Sequence, residues 1–385
     1  MTFEKLIMED ALDAIIDYRG RTPEKSQIGI PTLSAKSVKN GQIDYSECYY
    51  ISPEEYKKFM TRGFPQKGDI LLTTEAPLGM VAKLDRTDVA VAQRLLTLRG
   101  KKGVLDNDFL MYYLQSPEGQ GLLKAKETGT TVTGIKQAEF RKIVIKVPNY
   151  QTQKKIAAIL SALDEKIAIN RAINDNLQQQ AAALFSTLYD RSNTEVSYTD
   201  LIQVLGGGTP KTGESTYWNG DVAFFTPKDV GLPYTLVTEK SITEEGLSHC
   251  NSRLYPVNTV FVTARGTVGK VSLSGIPMAM NQSCYALVGK ETHQLLVYFY
   301  TLKAVDRLKH KASGAVFDAI TTRDFESEQI MKLSDNDAKT FLCVAEPMFQ
   351  KMLNNSIENL QLSTLRDSLL PKLMSGELDV SAIEL

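Results

Sequence analysis

The residues of this chain whose types and spacing could support chemistry are few, and each set stops short of a working site. Gly206-Gly207-Gly208-Thr209-Pro210-Lys211 is a glycine-rich run of the kind that lets a backbone approach a pyrophosphate. It fails G-x-G-x-x-G at its last position, and no clear helix start follows it. Gly266-Thr267-Val268-Gly269-Lys270-Val271 ends like a phosphate loop. Ala264 stands where the first glycine belongs and Val271 where a Ser/Thr hydroxyl would meet magnesium, so the segment reads as a tight turn. Lys211-Thr212-Gly213 echoes a β-lactamase motif, but no Ser-x-x-Lys accompanies it. His249, His293 and His310 are scattered, which supports neither a zinc site nor a Ser-His-Asp relay. No Pro-Pro dipeptide occurs, so the Asn/Asp-Pro-Pro-aromatic motif of amino-directed DNA methyltransferases is missing. No covalent chemistry, metal or cofactor is expected of this chain alone.

The elements that position side chains come in two copies. A chain of 385 residues has room for two or three folding units, and self-similarity at an offset of about 185 to 190 residues divides this one into halves. Arg19-Gly20-Arg21-Thr22-Pro23 answers to Gly206-Gly207-Gly208-Thr209-Pro210. Asp69-Ile70-Leu71-Leu72-Thr73-Thr74, with Gly79 behind it, answers to Thr259-Val260-Phe261-Val262-Thr263-Ala264 with Gly269 behind it. Ala92-Gln93-Arg94 answers to Asn281-Gln282-Ser283, and Thr128-Gly129-Thr130-Thr131 to Ser313-Gly314-Ala315-Val316. Short β-branched runs at Asp69–Thr74 and Val257–Thr263 predict strands, and Phe109–Leu114 and Leu295–Leu308 predict helices. Each half therefore opens with an α+β unit of roughly 140 residues, large enough for its own core.

Each half closes on a long helix with a coiled-coil seam. From Ile156 the 4-3-4-3 spacing runs through Leu160, Leu163, Ile167, Asn170, Asn174, Leu177, Ala181, Leu184 and Leu188. Adding 185 gives Phe341, Ala345, Met348, Met352, Asn355, Asn359, Leu362, Arg366, Leu369 and Leu373. Both seams carry two asparagines in the same register, and a buried amide fixes register because it needs a matching partner. Two equal seams in one chain most simply pack on each other, antiparallel. The competing reading is two amphipathic helices, each packed on its own domain. Pro347 predicts a kink or restart near Glu346, and Arg366 fits the seam if its guanidinium snorkels outward.

Apolar residues make up 43% of the chain and charged residues 23%, an ordinary globular balance. No stretch approaches the ~18 apolar residues of a membrane helix, and the start lacks the basic-then-apolar layout of a signal peptide. Cys48, Cys250, Cys284 and Cys343 lie far apart and read as reduced thiols, so a cytoplasmic protein is expected. The net charge of -1 hides an uneven spread. Residues 1–150 hold 22 basic against 19 acidic side chains, residues 191–334 hold 14 of each, and the last 51 residues hold 4 against 8. The C-terminal end is not what grips an anion.

The order of these features resembles the DNA-specificity (S) subunit of type I restriction–modification systems, over nearly the whole chain. Pro148, Gln153 and Ile156 fit the family's helix-opening motif, with Thr152 in place of its Glu. In the second half Leu333, Asp337, Ala338 and Phe341 occupy the same places, so the motif is degenerate there. The ending Arg366-Asp367-Ser368-Leu369-Leu370-Pro371-Lys372-Leu373-Met374-Ser375-Gly376-Glu377 is similar to the family's terminal helix. The Gly-Thr-Pro within 207–210 and the Gly-Thr-like turns at 129–130 and 314–315 suit its recognition domains. The resemblance implies an α+β fold with a pseudo-two-fold internal repeat: two similar globular target recognition domains separated by two long helices that form an antiparallel coiled coil. The expected division is a first recognition domain over 1–149, a spacer helix over 150–190, a second domain over 191–334, a second spacer helix over 335–374, and a tail over 375–385. Each domain would read one half of a split site in double-stranded DNA. The helices would set the spacing and dock two methylation (M) subunits, which a motor–nuclease (R) subunit can join. Methyl transfer and ATP-driven cleavage would belong to those partners, leaving this chain non-catalytic.

Under that reading, cations near predicted turns neutralise phosphates or reach base edges. The candidates are Arg19, Arg21, Lys36, Arg94 and Lys136 in the first half, and Lys211, Lys228, Arg265 and Arg323 in the second. Gln93, Asn281 and Gln282 could pair with adenine in the major groove. Residues 151–188 as one helix would span about 57 Å. That length limits the two half-site centres to about 17 base pairs apart, and tilting brings them to about one helical turn. A protein–protein or glycan-binding scaffold, with two arms on a coiled-coil stalk, stays open as the alternative.

Overall fold

The computed structural model describes residues 2–129, 133–231, 233–311 and 319–383. The chain divides into two compact units, one made of residues 1–166 with 362–385 and the other of residues 167–361. The segments 130–131 and 313–316, which carry parts of the sequence repeat, the turn at 314–315 and Thr130 of the turn at 129–130, lie outside the described residues.

In the first unit the apolar run at 69–74 forms the strand Ile70–Thr73, all four residues buried, at the heart of a sheet. That sheet runs in the order Leu12–Asp17, Leu95–Gly100, Ile70–Thr73, Val81–Lys83. A second sheet orders Tyr49–Ile51, Ile30–Leu33 and Ala90–Val91, with the last two parallel. Phe3–Ile7 pairs antiparallel with Val144–Pro148 and delivers the chain to the first long helix. The second unit repeats the plan. Its main sheet runs Ile202–Gly206, Cys284–Gly289, Val260–Thr263, Val271–Ser274, Tyr234–Thr235, and a three-stranded sheet orders Lys240–Ile242, Trp218–Phe225, Met278–Met280. Thr194–Ser197 pairs with Gln329–Lys332 ahead of the second long helix. The predicted helices are present as Asn107–Gln115 and Gln294–Lys311.

The long helices are Tyr150–Asp190 and Asp335–Ser375, of 41 residues each. Their starts are capped alike: the Asn149 side chain accepts from the Thr152 amide at 3.0 Å, and the Ser334 hydroxyl accepts from the Asp337 amide at 3.2 Å. Every seam position is buried or half-buried. Ile156, Leu160, Ile167, Asn170, Asn174, Leu188, Met352, Asn355 and Leu373 are buried; Leu163, Leu177, Leu184, Met348, Asn359, Leu362 and Leu369 are half-buried.

Inside each unit the helix segments run antiparallel. In the second, Asn170 donates to the Asn359 side chain at 3.0 Å and Asn355 donates to Asn174 at 2.8 Å, so the partner number falls as the first rises. In the first, Arg366 meets Asp164 at 2.6 Å, and the Tyr112 hydroxyl donates to the other Asp164 oxygen at 2.7 Å. Arg366 therefore does not snorkel free; a cross-helix carboxylate holds it. The helices also belong to the globular cores. Ile156, Ala157, Leu160, Leu370, Leu373, Met374 and Val380 share one cluster with Phe109, Leu110 and Phe140. Phe185, Leu188, Phe341, Ala345, Phe349 and Met352 share another with Leu296, Phe299 and Tyr300. Both readings of the seams thus hold in part: each helix packs on its domain and on its counterpart.

No restart occurs near Glu346, since the helix runs unbroken through Pro347. Pro347 and Cys343, one turn earlier, are both exposed. The proline costs the Cys343 carbonyl its helical partner on the exposed side of the helix, while buried Ala345 and Phe349 hold the turn on the core.

Candidate nucleic-acid interface

Strand register gathers most of the candidate residues at one end of each main sheet. In the first unit Leu96 lies opposite Asp17 and Leu95 opposite Thr73, so Arg19, Thr74 and Arg94 leave their strands on the same edge. The Ala92 amide donates to the Leu33 carbonyl at 2.8 Å, which brings in the turn bearing Lys36. The Ile135 amide donates to the Thr74 carbonyl at 2.9 Å, which brings in Lys136. Lys36, Arg94 and Lys136 are exposed and Gln93 is half-buried. Arg19 is spent partly on structure, its guanidinium donating to the Ile135 carbonyl at 3.0 Å. Arg21 turns aside; it donates to Thr61 Oγ1 at 2.7 Å and lies over the Phe59 ring at 5.5 Å.

The second unit repeats this edge. Gly206 lies opposite Tyr285 and Thr263 opposite Cys284. The Gly208 amide reaches the Met280 carbonyl, the Ala264 amide the Ser283 carbonyl and the Ile320 amide the Ala264 carbonyl. Thr209 donates to the Gln282 side chain, and Thr267 to the Pro227 carbonyl beside Lys228 at 3.2 Å. Arg265, Gln282, Lys228 and Arg323 are exposed on these loops. Asn281 is half-buried and its side chain accepts from the Ser283 amide at 3.0 Å, so its acceptor is committed to the turn. Lys211 is exposed one residue beyond this loop, where its carbonyl accepts from the Trp218 indole at 3.2 Å.

The loop after the central strand is built identically in both units. Thr73 Oγ1 donates to the Pro77 carbonyl at 2.6 Å and accepts from the Met80 amide at 2.9 Å; the Gly79 amide closes on the Thr73 carbonyl at 3.0 Å. Thr263 Oγ1 donates to the Thr267 carbonyl and accepts from the Lys270 amide at 2.9 Å, while the Gly269 amide closes on the Thr263 carbonyl at 2.8 Å. Segment 266–271 is therefore a tight turn, matched at 76–81, and the amides of Gly269 and Lys270 are spent on Thr263 rather than turned toward a phosphate.

Two residues of this edge escaped the sequence reading. Glu75, the counterpart of Arg265, forms an ion pair with Arg94 at 2.8 Å. Arg62 donates to the carbonyls of Asp17 at 2.9 Å and Arg19 at 3.1 Å, and sits 6.0 Å from the Tyr18 ring, whose hydroxyl burial pushes up. The repeat offset pointed to Glu75; for Arg62 the only signal was a cation ahead of Gly63. Among the described residues no three His, Cys, Asp or Glu side chains gather as metal ligands, and no helix is long and apolar enough to cross a membrane.

Two stretches, residues 14–179 and 192–332, match the family model described as the type I restriction modification DNA specificity domain. They make up most of the chain, and the chain belongs to that family. It is 24% identical over 383 residues to the type I restriction enzyme MjaIX specificity subunit of Methanocaldococcus jannaschii, covering 92% of this chain and 88% of that one. To the HindI specificity subunit of Haemophilus influenzae it is 23% identical over 432 residues, covering 91% and 89%. In fold it is similar to the crystal structure of the type I restriction–modification S subunit from M. genitalium. There the TM-score is 0.64 at 17% identity, over 97% of this chain and 96% of that one.

Proposed function

We propose that this chain is the DNA-recognising, non-catalytic subunit of a cytoplasmic type I restriction–modification complex. Each globular unit reads one half of a bipartite, asymmetric site. The observation that carries this reading is the pair of loop edges: one hydrogen-bonded scaffold used twice, displaying different side chains. Arg94 and Lys136 stand on one edge where Arg265, Gln282 and Arg323 stand on the other, so the two half-sites differ in sequence. The long helices set the unread gap and receive two methylation subunits. Exposed Ile169, Ile173, Ile357 and Leu360 give them apolar surface for that contact. Methyl transfer, and cleavage by a motor–nuclease partner, belong to those subunits.

Methylome sequencing of cells that carry this chain with its methylation partner tests the reading. Two short, unlike half-sites around a gap are expected, and one continuous palindrome would overturn it. Lengthening both helices by a heptad should widen the gap and leave each half-site as it was. The near-zero net charge is the one observation that favours a protein- or glycan-binding scaffold instead. Under that alternative, the complex shows no retardation of a DNA probe in a gel shift at low salt.

A further inference from the structure

The matched loops hold a difference in charge that the shared scaffold makes interpretable. The Thr74 amide donates to the Arg94 carbonyl at 2.9 Å, and the Ala264 amide to the Ser283 carbonyl at 2.8 Å, so Arg94 and Ser283 are structural counterparts. Glu75 and Arg265 are likewise counterparts; they form equivalent bridges, to Gly134 and to Ala319. The first unit thus carries an acid and a base where the second carries a base and a hydroxyl.

The acid and base of the first unit are joined in a particular way. Glu75 Oε1 lies 2.8 Å from Nε of Arg94, the inner edge of the guanidinium. The two terminal amino groups have no partner among the described residues, and the side chain is 52% exposed. Those two groups form the fork that can donate at once to O6 and N7 of a guanine in the major groove. Nε, the atom not needed for that contact, is the one the carboxylate lies against. Arg94 also holds φ of +71°, a left-handed conformation that disfavours a long side chain. Among the described residues only Ala76, Asn219 and Asn258 share a positive φ without being glycine. A turn selected for stability alone would place glycine or asparagine there.

We infer that Arg94 reads a guanine in the first half-site and that Glu75 is its positioning residue, orienting the fork and restraining its rotation. In the second unit Arg265 stands without a carboxylate at 283, so its half-site is read by a different pattern at the corresponding step. The inference rests on the DNA-reading function proposed above.

The test uses the complete methylation complex, with genomic DNA as substrate and methylated motifs read by sequencing, for wild type, R94K, R94G and E75Q. Wild type must show a bipartite motif with a G·C pair in one half; without a bipartite motif the proposed function itself fails. R94K keeps the charge but loses the fork. It is expected to methylate sites with any base at that one pair, discrimination falling roughly 10- to 100-fold, while the other half-site stays intact. R94G relieves the backbone and should melt no lower than wild type, yet relax the same position. E75Q should relax it partly, and E75D should restore more than E75Q. An unchanged motif with R94K, or equal weakening of both half-sites, would overturn the inference, since either means a phosphate contact or a structural role.

Discussion

At the scale of single residues, the twin turns provide an internal control for backbone strain. Ala76 and Gly266 are counterparts, both with positive φ, at +49° and +81°. A Cβ at Gly266 meets nothing nearer than Pro227 at 4.0 Å, so any cost of Gly266→Ala comes from conformation alone. That change should destabilise the second unit by about 1–2 kcal/mol, whereas Ala76→Gly should be neutral or slightly stabilising. Thermal melting of the two variants checks this; equal losses would refute it. Thiol reactivity separates in the same residue-by-residue way. Burial pushes the Cys284 thiol up to about 12, while Cys343 is exposed. Alkylation at pH 8 should label Cys343 and spare Cys284 until the protein unfolds. Burial was readable in advance where an apolar run fixed it, as at Val260–Thr263. Arg62 was not readable as a site residue, because what defines it is a partner 45 positions away, the Asp17 carbonyl; for Glu75 the repeat gave the position but not the ion pair with Arg94, which strand pairing brings in.

At the scale of elements, the helix seams show how a polar group specifies a contact. Asn174 donates to the Met352 carbonyl and to Ser356, both at 3.2 Å, and accepts from Asn355. Asn174→Leu alone strands the Asn355 amide and should cost about 1–3 kcal/mol. The double change Asn174→Leu/Asn355→Leu should recover most of that loss, which a double-mutant cycle of melting temperatures measures. The helix start supplies an acid response. Arg191 and the Ser334 hydroxyl hold the Asp337 carboxyl below the usual range. A depressed carboxylate contributes stability that is fully present above its unfolded pKa of about 3.9 and fades as pH falls through the folded value. Asp337→Asn should therefore be less stable than wild type near pH 7 and approach it as pH falls below about 4, which melting temperatures across that range measure; a constant difference would contradict it. Heptad spacing made these helices visible in the sequence, and equal offsets made their register visible. The Gln153 staple was not: its amide donates to the carbonyls of Pro148 and Val104, both at 2.9 Å, and accepts from Asp106. Ala338 has no such reach, which is why the motif looks eroded in the second half.

At the scale of the whole chain, the two units differ in how they are assembled. The second is one continuous stretch, residues 167–361, while the first joins residues 1–166 to residues 362–385. Leu370, Leu373, Met374 and Val380 fill the same core as Phe109 and Phe140, and the Lys155 ammonium donates to the Ser381 carbonyl at 2.6 Å. Truncation after Gln361 should therefore damage the unit nearest the N-terminus and spare its neighbour. Hydrogen exchange of the truncated chain should show protection lost across residues 95–125 and kept across 260–308; loss confined to the second unit would contradict it. The repeat in the sequence foretold two alike globules but not this stitching, since no local pattern says which globule a distant helix end will complete.

That stitching has a consequence during synthesis. Chains usually mature from the front, domain by domain, as they leave the ribosome. Here the middle globule can finish while the earlier one still lacks a wall, exposing the faces of Ile156 and Leu160 until residues 362–383 emerge. Nascent chains stalled between those points should be the species that chaperones and proteases meet.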